Sequence, residues 1–308
     1  MKTTPLFVLL AAALAVPLHA QTIDDGIMMA DHALQVGNVY THDSWDQYWE
    51  GTLKRTNGNI GTITTQTNAQ TVAYGFADRV TFLGSVPLVW TRPSMGVLAG
   101  QRGMQDIVLG GKYSFLELSP GKHGMLRAIV ALQGALPLSN YTPDFAPLSI
   151  GNHSRRLSAR LTLNYQSSPG WYLNASTAYW RRADVLLDRP YYFTDNQFFL
   201  TNQVDMPDVV DSVVSAGYLK HNLNANISYW QQTTQGGGDI RRQDMPFVSN
   251  RMNVSRVGGM AMYPIPKFNR LALKLAASYV VDGRNVGQST TISTELIYAL
   301  HDRGRQIR

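Results

Sequence analysis

The chain has 308 residues, of which only 16% are charged, and its formal net charge at pH 7 is +6. It contains no cysteine, which excludes a disulfide framework, a thiolate metal site and a lipid-modified N-terminal cysteine. Its basic residues are scattered rather than clustered, so the positive charge does not indicate a nucleic-acid partner.

The N-terminus has the pattern of a secretory signal peptide. Lys2 supplies the positive charge, and Pro5 to Ala20 form an apolar run that ends in a small residue. This run is short for a membrane-spanning helix, which needs roughly 20 residues, and no later run approaches that length. We therefore predict export, removal of residues 1–20, and any membrane embedding in the form of a β-barrel.

The rest of the sequence alternates polar and apolar residues with a period of two. In Leu157–Tyr165 the odd-numbered residues are apolar and the even-numbered ones are polar, and Asn222–Trp230 repeats the pattern. These segments run for about 9–13 residues, which is long for soluble sheets and typical of tilted membrane strands. The pattern predicts an all-β fold, a transmembrane antiparallel up-and-down β-barrel.

About twelve strands are predicted, and short turn-forming connections alternate with long ones, as in outer-membrane barrels. An even number of strands places both chain ends on the periplasmic side. The predicted organisation is a signal peptide (1–20), a periplasmic N-terminal segment (21–34), an outer-membrane barrel (35–300) and a periplasmic tail (301–308). The predicted strands lie near residues 35–48, 60–73, 79–91, 105–117, 124–137, 154–166, 170–182, 209–219, 222–233, 251–263, 268–281 and 289–300.

Aromatic residues recur at a spacing that fits the two interfaces of a membrane. Phe82 and Trp90 are eight residues apart on one predicted strand, as are Trp171 and Tyr179 on another. Eight residues of a tilted strand rise roughly 20 Å, close to the height of the apolar band of such a barrel. We expect the periplasmic girdle to include Tyr113, Phe115, Tyr165 and Tyr298, and the outer girdle Tyr229 and Tyr279.

The stretch GMQDIVLGGKYSFLEL (Gly103–Leu118) has glycines and a lysine that suggest a nucleotide-binding loop. Such a loop needs a glycine, four residues, and then Gly-Lys-Ser/Thr before a helix. Here Asp106 takes the place of the first glycine, Tyr113 follows the lysine, and the alternation is that of a strand. The stretch is therefore predicted to be a membrane strand, and no cofactor is implied.

Several of these segments also carry a family resemblance. Tyr74–Trp90 contains a Tyr-Gly-x-x-Asp-Arg turn, and Gly103–Leu116 contains a Gly-x-x-Asp strand that continues to Lys-Tyr. Ala131–Asn140 is similar to a third segment, although Leu-Ser replaces the usual Thr-Gly, and Asp282–Leu300 is similar to a closing hairpin. The sequence thus resembles the outer-membrane family named after the meta-pathway of phenol degradation. That resemblance implies a porin-like or transport-related barrel with no catalytic residues.

The parity of the strands predicts which side chains line the lumen. Positive charges outnumber acids among them, which favours anionic solutes, because charged rings set pore selectivity. Two interpretations stay open, a narrow passage or binding cavity for small polar, anionic or aromatic solutes, and a structural or adhesive barrel whose polar groups fill the lumen. The candidate solute-contacting residues are Lys112, Arg127, Gln133, Arg156, Arg160, Asn164, Asn224, Asn226, Lys274 and Glu295.

The long connection Ala183–Asp208 is rich in aromatic residues. Phe193, Phe198 and Phe199 could gather apolar substrate at the mouth of the barrel, or they could pack against neighbouring loops. The sequence does not distinguish these two roles.

A lipid hydrolase is the enzymatic alternative, because His153 directly precedes Ser154. Adjacent residues on a strand point to opposite faces, so this pair cannot form a nucleophile–base contact there. We therefore expect no enzyme. No metal is expected either, because the histidines are dispersed without ligand spacing.

The expected partners follow from this location in the outer membrane. They are outer-membrane lipid, lipopolysaccharide (with Arg241 and Arg242 near its phosphates), a small-molecule solute and the barrel-assembly machinery. Such barrels usually end on an aromatic residue that the machinery reads, whereas this chain continues past Tyr298 for ten residues, through HDRGRQIR. Tyr298 could act as an internal version of that signal. The sequence does not determine the oligomeric state.

Overall fold

The computed structural model describes residues 21–120, 124–220, 223–242, 245–266, 268 and 270–301. In these ranges twelve long strands form one antiparallel sheet in which each strand pairs with the next along the chain. The last strand pairs with the first, so the sheet closes into a barrel. We number the strands β1 (Leu34–Trp45), β2 (Ile63–Ala77), β3 (Val80–Pro93), β4 (Asp106–Leu118), β5 (Gly124–Pro137), β6 (Arg156–Ser167), β7 (Trp171–Arg182), β8 (Val209–Lys220), β9 (Leu223–Thr234), β10 (Asn253–Pro264), β11 (Leu271–Arg284) and β12 (Thr290–His301).

Helix plays almost no part in this architecture. One short 3-10 helix, Pro143–Phe145, lies in a connection. Within the described ranges, no helix has the length and apolar character needed to span a bilayer.

Strand β6 shows why the strands of this sequence form a barrel suited to a membrane. Its leucines Leu157, Leu161 and Leu163 point outward and stay 44–62% exposed, whereas Ser158 and Arg160 are buried on the inner face. An apolar outer face and a polar inner face suit a barrel in lipid, and the inverse pattern would suit a soluble sheet. The predicted all-β barrel is confirmed.

The strand bounds agree with the prediction within a few residues, with one informative exception. The stretch Tyr74–Asp78 was expected to be a turn, but β2 continues to Ala77 and only Asp78 and Arg79 connect it to β3. Phe76 remains on the outer face, where its ring meets Phe82 edge-on at 6.1 Å. The aromatic girdle therefore extends the strand through residues whose local sequence indicates a turn.

The connections at the two ends of the barrel differ in length. Short turns follow β2, β4, β6, β8 and β10, at the end assigned to the periplasm. At the opposite end lie five long loops and one short one, which we name L1 (46–62), L2 (94–105), L3 (138–155), L4 (183–208), L5 (235–252) and L6 (285–289). Short hairpins within L1 and L4 give these loops their own secondary structure.

Residues 21–33 fold back into the periplasmic end of the barrel. The sequence predicts a periplasmic segment here, and the structure adds that its backbone contacts the inner wall. Met29 N donates to Thr81 Oγ1 at 3.0 Å, and His32 N donates to Gly75 O at 2.8 Å. Met29 and Ala33 also pack against Ala73 in a small buried cluster.

Two parts of the predicted organisation lie outside the described residues. These are the signal peptide, residues 1–20, and the tail beyond His301. The barrel is predicted to span residues 35–300. In the structure its first strand begins at Leu34 and its last strand ends at His301.

Candidate functional site

The barrel lumen is the candidate site, and all ten candidate side chains lie on its inner face. Their positions follow from strand parity, because each alternates with outward residues that are exposed or belong to the girdles. The structure brings them together in separate groups along the wall rather than in one cluster. Whether any of them contacts a solute stays a prediction.

The N-terminal segment is fixed near the periplasmic end by a buried lysine. The Lys112 side chain has no solvent exposure, and its Nζ contacts Asp25 Oδ1 at 2.6 Å. The same ammonium donates to the carbonyl of Thr22 at 2.9 Å. A buried cation is tolerated when a carboxylate and carbonyl oxygens surround it, so Lys112 holds the segment against β4.

Asparagines on β6 and β7 hold the same segment from another part of the wall. Asn174 Nδ2 donates to Asp24 O at 2.9 Å, and Asn164 packs against Gly26 closely enough that no larger residue fits there. Asn224 and Asn226 lie beside Tyr172, whose hydroxyl donates to Asn224 Oδ1 and accepts from Asn226 Nδ2. These groups line a cavity of about 90 Å³, so the lower lumen is largely filled.

A buried ion pair crosses the wall formed by β6, β7 and β8. Arg160 Nη2 lies 2.5 Å from Asp211 Oδ1, and Arg160 Nη1 donates to Ser176 Oγ at 2.9 Å. Trp180 Nε1 donates to the other oxygen of Asp211. Because both charges are buried and hydrogen-bonded, this pair fixes the wall.

Arg156 forms a second pair nearer the outer end. Its Nη2 lies 2.9 Å from Asp106 Oδ2, and Tyr141 of L3 donates to Asp106 Oδ1 at 2.6 Å. Burial and the bond to Asp106 raise the pKa of Tyr141 far above its ordinary value, so its hydroxyl stays protonated. The Arg156 guanidinium also lies 5.7 Å from the ring of Trp180.

The wall formed by β9 to β12 leaves more space. A cavity of about 230 Å³ runs along it, lined by small and polar residues that include Ser228, Gly258, Ser278 and Ser293. Lys274 also lines this cavity, and its Nζ lies 3.1 Å from Glu295 Oε2. Thus the open part of the lumen follows this wall.

Arg256 of β10 faces the lumen above this cavity. Its guanidinium lies 5.5 Å from the centroid of the Trp230 ring, and its Nε has no hydrogen-bond partner. Asp43 acts on it electrostatically, but Asp43 accepts a hydrogen bond from Thr291 at 2.6 Å instead. Within the described part of the chain, Arg256 forms no salt bridge, so its charge is not compensated at contact distance.

The remaining candidates lie on β5. Arg127 Nε is 3.6 Å from Glu117 Oε1 at the periplasmic end of the wall, and Ser114 Oγ donates to the same oxygen at 2.9 Å. Gln133 lies further up β5, and its Oε1 is buried without a partner among the described residues. Arg127 is therefore paired like Arg156 and Arg160.

The aromatic residues of loop L4 are divided between a buried cluster and the exposed surface. Tyr192 stacks on Phe199 at 4.9 Å and on Phe247 of L5 at 5.3 Å, within a buried cluster that joins the two loops. Phe193 and Phe198 remain exposed, and Arg241 lies 5.8 Å from the Phe193 ring. Of the three phenylalanines considered for substrate capture, Phe199 thus has a packing role.

The geometry around Ser154 does not form a nucleophile–base pair with His153. Ser154 is buried, and its Oγ donates to the carbonyl of Ala183 at 2.5 Å. The His153 ring instead meets Tyr141 edge-on at 4.8 Å. Ser154 thus connects L3 to L4, whereas the His153 ring packs within L3.

Several residues that matter in this lumen are absent from the candidate list. Asp25, Asp211 and Arg256 each carry a charge on the inner side of the barrel. For Asp211 a signal was available, because an acid between valines at an inward position of β8 needs a buried partner. For Asp25 there was none, because it precedes the first alternating strand.

This fold defines the class of protein, a twelve-stranded β-barrel of the outer-membrane type. The chain belongs to the family described as "Putative MetA-pathway of phenol degradation", whose model matches residues 53–296. That finding confirms the resemblance read from the sequence. A search of curated proteins found no match.

Solved structures place the fold among bacterial outer-membrane barrels. An outer membrane channel from Pseudomonas putida F1 superposes with a TM-score of 0.69 at 14% identity, over 91% of this chain and 100% of that one. The NanC porin gives 0.45 at 7% identity over 85% and 100% of the two chains. The translocator domain of the autotransporter NalP from Neisseria meningitidis gives 0.43 at 10% identity over 86% and 88%. The likeness in fold rests on the first of these structures.

Proposed function

We propose that this outer-membrane channel admits small anionic solutes, aromatic acids among them, along the wall formed by β9 to β12. The observation that carries the proposal is Arg256, an inward cation with no salt bridge to a described residue. In a narrow lumen of low dielectric, such a charge attracts anions and repels cations more strongly than it would in water.

The ring beside Arg256 supports the aromatic part of the proposal. The guanidinium of Arg256 lies against Trp230, and the guanidinium of Arg156 lies against Trp180. An arginine beside an indole offers a carboxylate its charge and offers an aromatic ring a surface to stack on. Both pairs lie in the outer half of the lumen, where a solute would enter.

Charge reversal tests the proposal in planar bilayers. We expect Arg256→Glu to shift the reversal potential in a salt gradient toward cations and to lower the anion-to-cation permeability ratio several-fold. Lys220→Glu is the matched control, because Lys220 lies on the outer face of β8 at the periplasmic end. The same change of charge there should leave the selectivity nearly unchanged.

Two results would contradict the proposal. Either the wild-type protein conducts no ions, or Arg256→Glu and Lys220→Glu alter the selectivity equally. A liposome-swelling panel with benzoate, neutral benzyl alcohol and a sugar of similar size then separates preference for charge from preference for an aromatic ring.

A structural barrel with a closed lumen is the second candidate. The observation that favours it is the N-terminal segment, which occupies the periplasmic end through Lys112 and Asn174. This function predicts negligible conductance for the wild-type protein at any salt concentration. The same bilayer recording therefore distinguishes the two.

A further inference from the structure

Four amide side chains lie on the lipid-facing side of β1 and β2. On β2 the odd-numbered side chains face the lumen, since Thr71 Oγ1 reaches Glu295 and Ala73 packs on the N-terminal segment. The even-numbered side chains therefore face lipid, together with Val72, which is 41% exposed. We name this feature the amide stripe, and its members are Asn38, Gln66, Asn68 and Gln70.

The amide stripe lies within the apolar band and not only at its edges. Tyr74 on the same face of β2 marks the periplasmic girdle, and Trp90, which pairs with Gln66, marks the outer one. With a rise of about 2.6 Å per residue for a tilted strand, Gln70 lies about 10 Å and Asn68 about 16 Å above Tyr74. Both amides are thus in the hydrocarbon region.

The stripe contrasts with the rest of the outer face. On the ten other strands, the described outward residues between the girdles are aliphatic, glycine, or hydroxyl-bearing Ser and Thr. A hydroxyl can bond to a backbone carbonyl of the sheet, as Thr177 Oγ1 does at 3.2 Å to Asp211 O on the neighbouring strand β8. Primary amides need more partners than this, and lipid offers none.

The members of the stripe bond to one another but do not use all their groups. Asn38 and Asn68 exchange two hydrogen bonds of 3.1 and 3.3 Å, and Gln70 Nε2 donates to Asn68 Oδ1 at 3.2 Å. Within the described residues, Gln70 Oε1 accepts no hydrogen bond. The Gln70 side chain is exposed, so donors and an acceptor point out of the barrel at mid-membrane height.

We infer that the amide stripe is the interface of a homodimer, and that its occupant is a second copy of this chain. All copies cross the outer membrane in the same orientation, so a two-fold axis along the membrane normal brings equal heights together. A primary amide carries both a donor and an acceptor and is complementary to its own copy. Gln70 and Asn68 would then bond across the axis to their counterparts. This inference does not depend on what the lumen conducts.

The absence of cysteine makes a cross-linking test possible. Val72→Cys places a thiol on the stripe face, two residues above Tyr74. Leu163→Cys is the matched control, because Leu163 is also exposed and lies two residues above Tyr165 on the distant strand β6. In oxidised native membranes we expect a disulfide-linked dimer from Val72→Cys and not from Leu163→Cys.

Replacing the amides tests the chemistry of the interface. In the Val72→Cys background, Asn68→Leu with Gln70→Leu should weaken association about tenfold, the equivalent of losing two symmetric amide hydrogen bonds in lipid. Thr177→Val, an outward polar deletion on β7, should leave the dimer intact. The shift in electrophoretic mobility on heating confirms that each variant is a folded barrel.

Sedimentation of the cysteine-free protein in detergent measures the mass of the oligomer without any introduced thiol. A dimer that becomes a monomer in Asn68→Leu/Gln70→Leu supports the interface even without a cross-link. The inference fails if the wild-type protein sediments as a monomer and Val72→Cys cross-links no more than Leu163→Cys. It also fails if a dimer persists unchanged without the two amides.

Discussion

Asn285, in the short loop L6, joins three of the external loops. Its Oδ1 accepts from Gly51 N of L1 at 2.7 Å and from Ile240 N of L5 at 3.0 Å. Its Nδ2 donates to Asp239 Oδ1 at 2.7 Å and to Arg251 O at 2.8 Å. The residue is buried and adopts a φ of 57°, which asparagine tolerates better than most residues. One side chain thus fixes the relative position of these loops.

Asn285→Ala should therefore release L1 and L5 while the barrel stays folded. Four hydrogen bonds are lost and the backbone conformation becomes unfavourable, so we expect a local cost of about 3 kcal/mol. Trypsin cleavage in L1 and L5, followed by mass spectrometry, measures the effect. Asn196→Ala is the control, because Asn196 has a φ of 64° but an exposed side chain. Equal cleavage of the two variants would mean that Asn285 does not anchor these loops.

Charged groups next to Asn285 also help to hold these loops together. Hydrogen bonds from Arg284, opposed by partial burial and aided by Asn285, lower the pKa of Asp239 below its ordinary value. Asp239 therefore stays ionised at neutral pH and keeps both oxygens as acceptors for Arg284, at 2.8 and 2.6 Å. The anchoring role of Asn285 rests on this fixed carboxylate.

At the residue scale, the sequence predicts which side of the wall a side chain faces but not its partner. Parity alone places Arg160 and Lys274 inside, because alternation in a strand is strictly two-fold. Their partners Asp211 and Glu295 are 51 and 21 residues away along the chain, respectively. Such pairings depend on the stagger between strands, which alternation does not encode. For the same reason, alternation does not show that Arg256 lacks a salt-bridge partner among the described residues.

At the scale of elements, the strands were predictable and the N-terminal segment was not. Long alternating runs are specified locally, whereas residues 21–33 attach mainly through backbone groups such as the carbonyl oxygens of Thr22 and Asp24. Every residue has a backbone carbonyl, so no sequence pattern predicts that this segment attaches to the barrel wall. The Asp25 carboxylate does make a side-chain contact, but its partner Lys112 lies 87 residues away along the chain.

Asp25→Asn should loosen this segment and raise the conductance of the channel. Lys112 would keep its buried charge without a carboxylate partner, and breaking a buried pair in this way typically costs about 3–5 kcal/mol. Single-channel recording measures the change. Asp24→Asn is the matched control, because Asp24 binds Asn174 through its carbonyl oxygen and not through its side chain. If the two variants conduct alike, the Asp25–Lys112 contact does not hold the segment in place.

At the scale of the whole molecule, the barrel closes by pairing its first and last strands. Residues 34–44 of β1 pair with residues 290–301 of β12, so the barrel is closed only once β12 is in place. Tyr298 lies on the outer face of β12, 38% exposed, near the periplasmic end. We expect the assembly machinery to read Tyr298, because it is an outward aromatic side chain on the strand that closes the barrel.

Tyr298→Ala should therefore lower the amount of folded barrel in outer membranes several-fold, beyond the small loss from removing one girdle ring. Tyr263→Ala is the matched control, since Tyr263 is an exposed aromatic residue near the periplasmic end of β10. The folded fraction is measured by the mobility shift on heating, and unassembled protein by its degradation in the periplasm. After refolding from urea into detergent, without the machinery, both variants should fold equally well. Equal losses in cells would show that Tyr298 acts as a girdle residue alone, since an assembly signal must lie on the strand that closes the barrel.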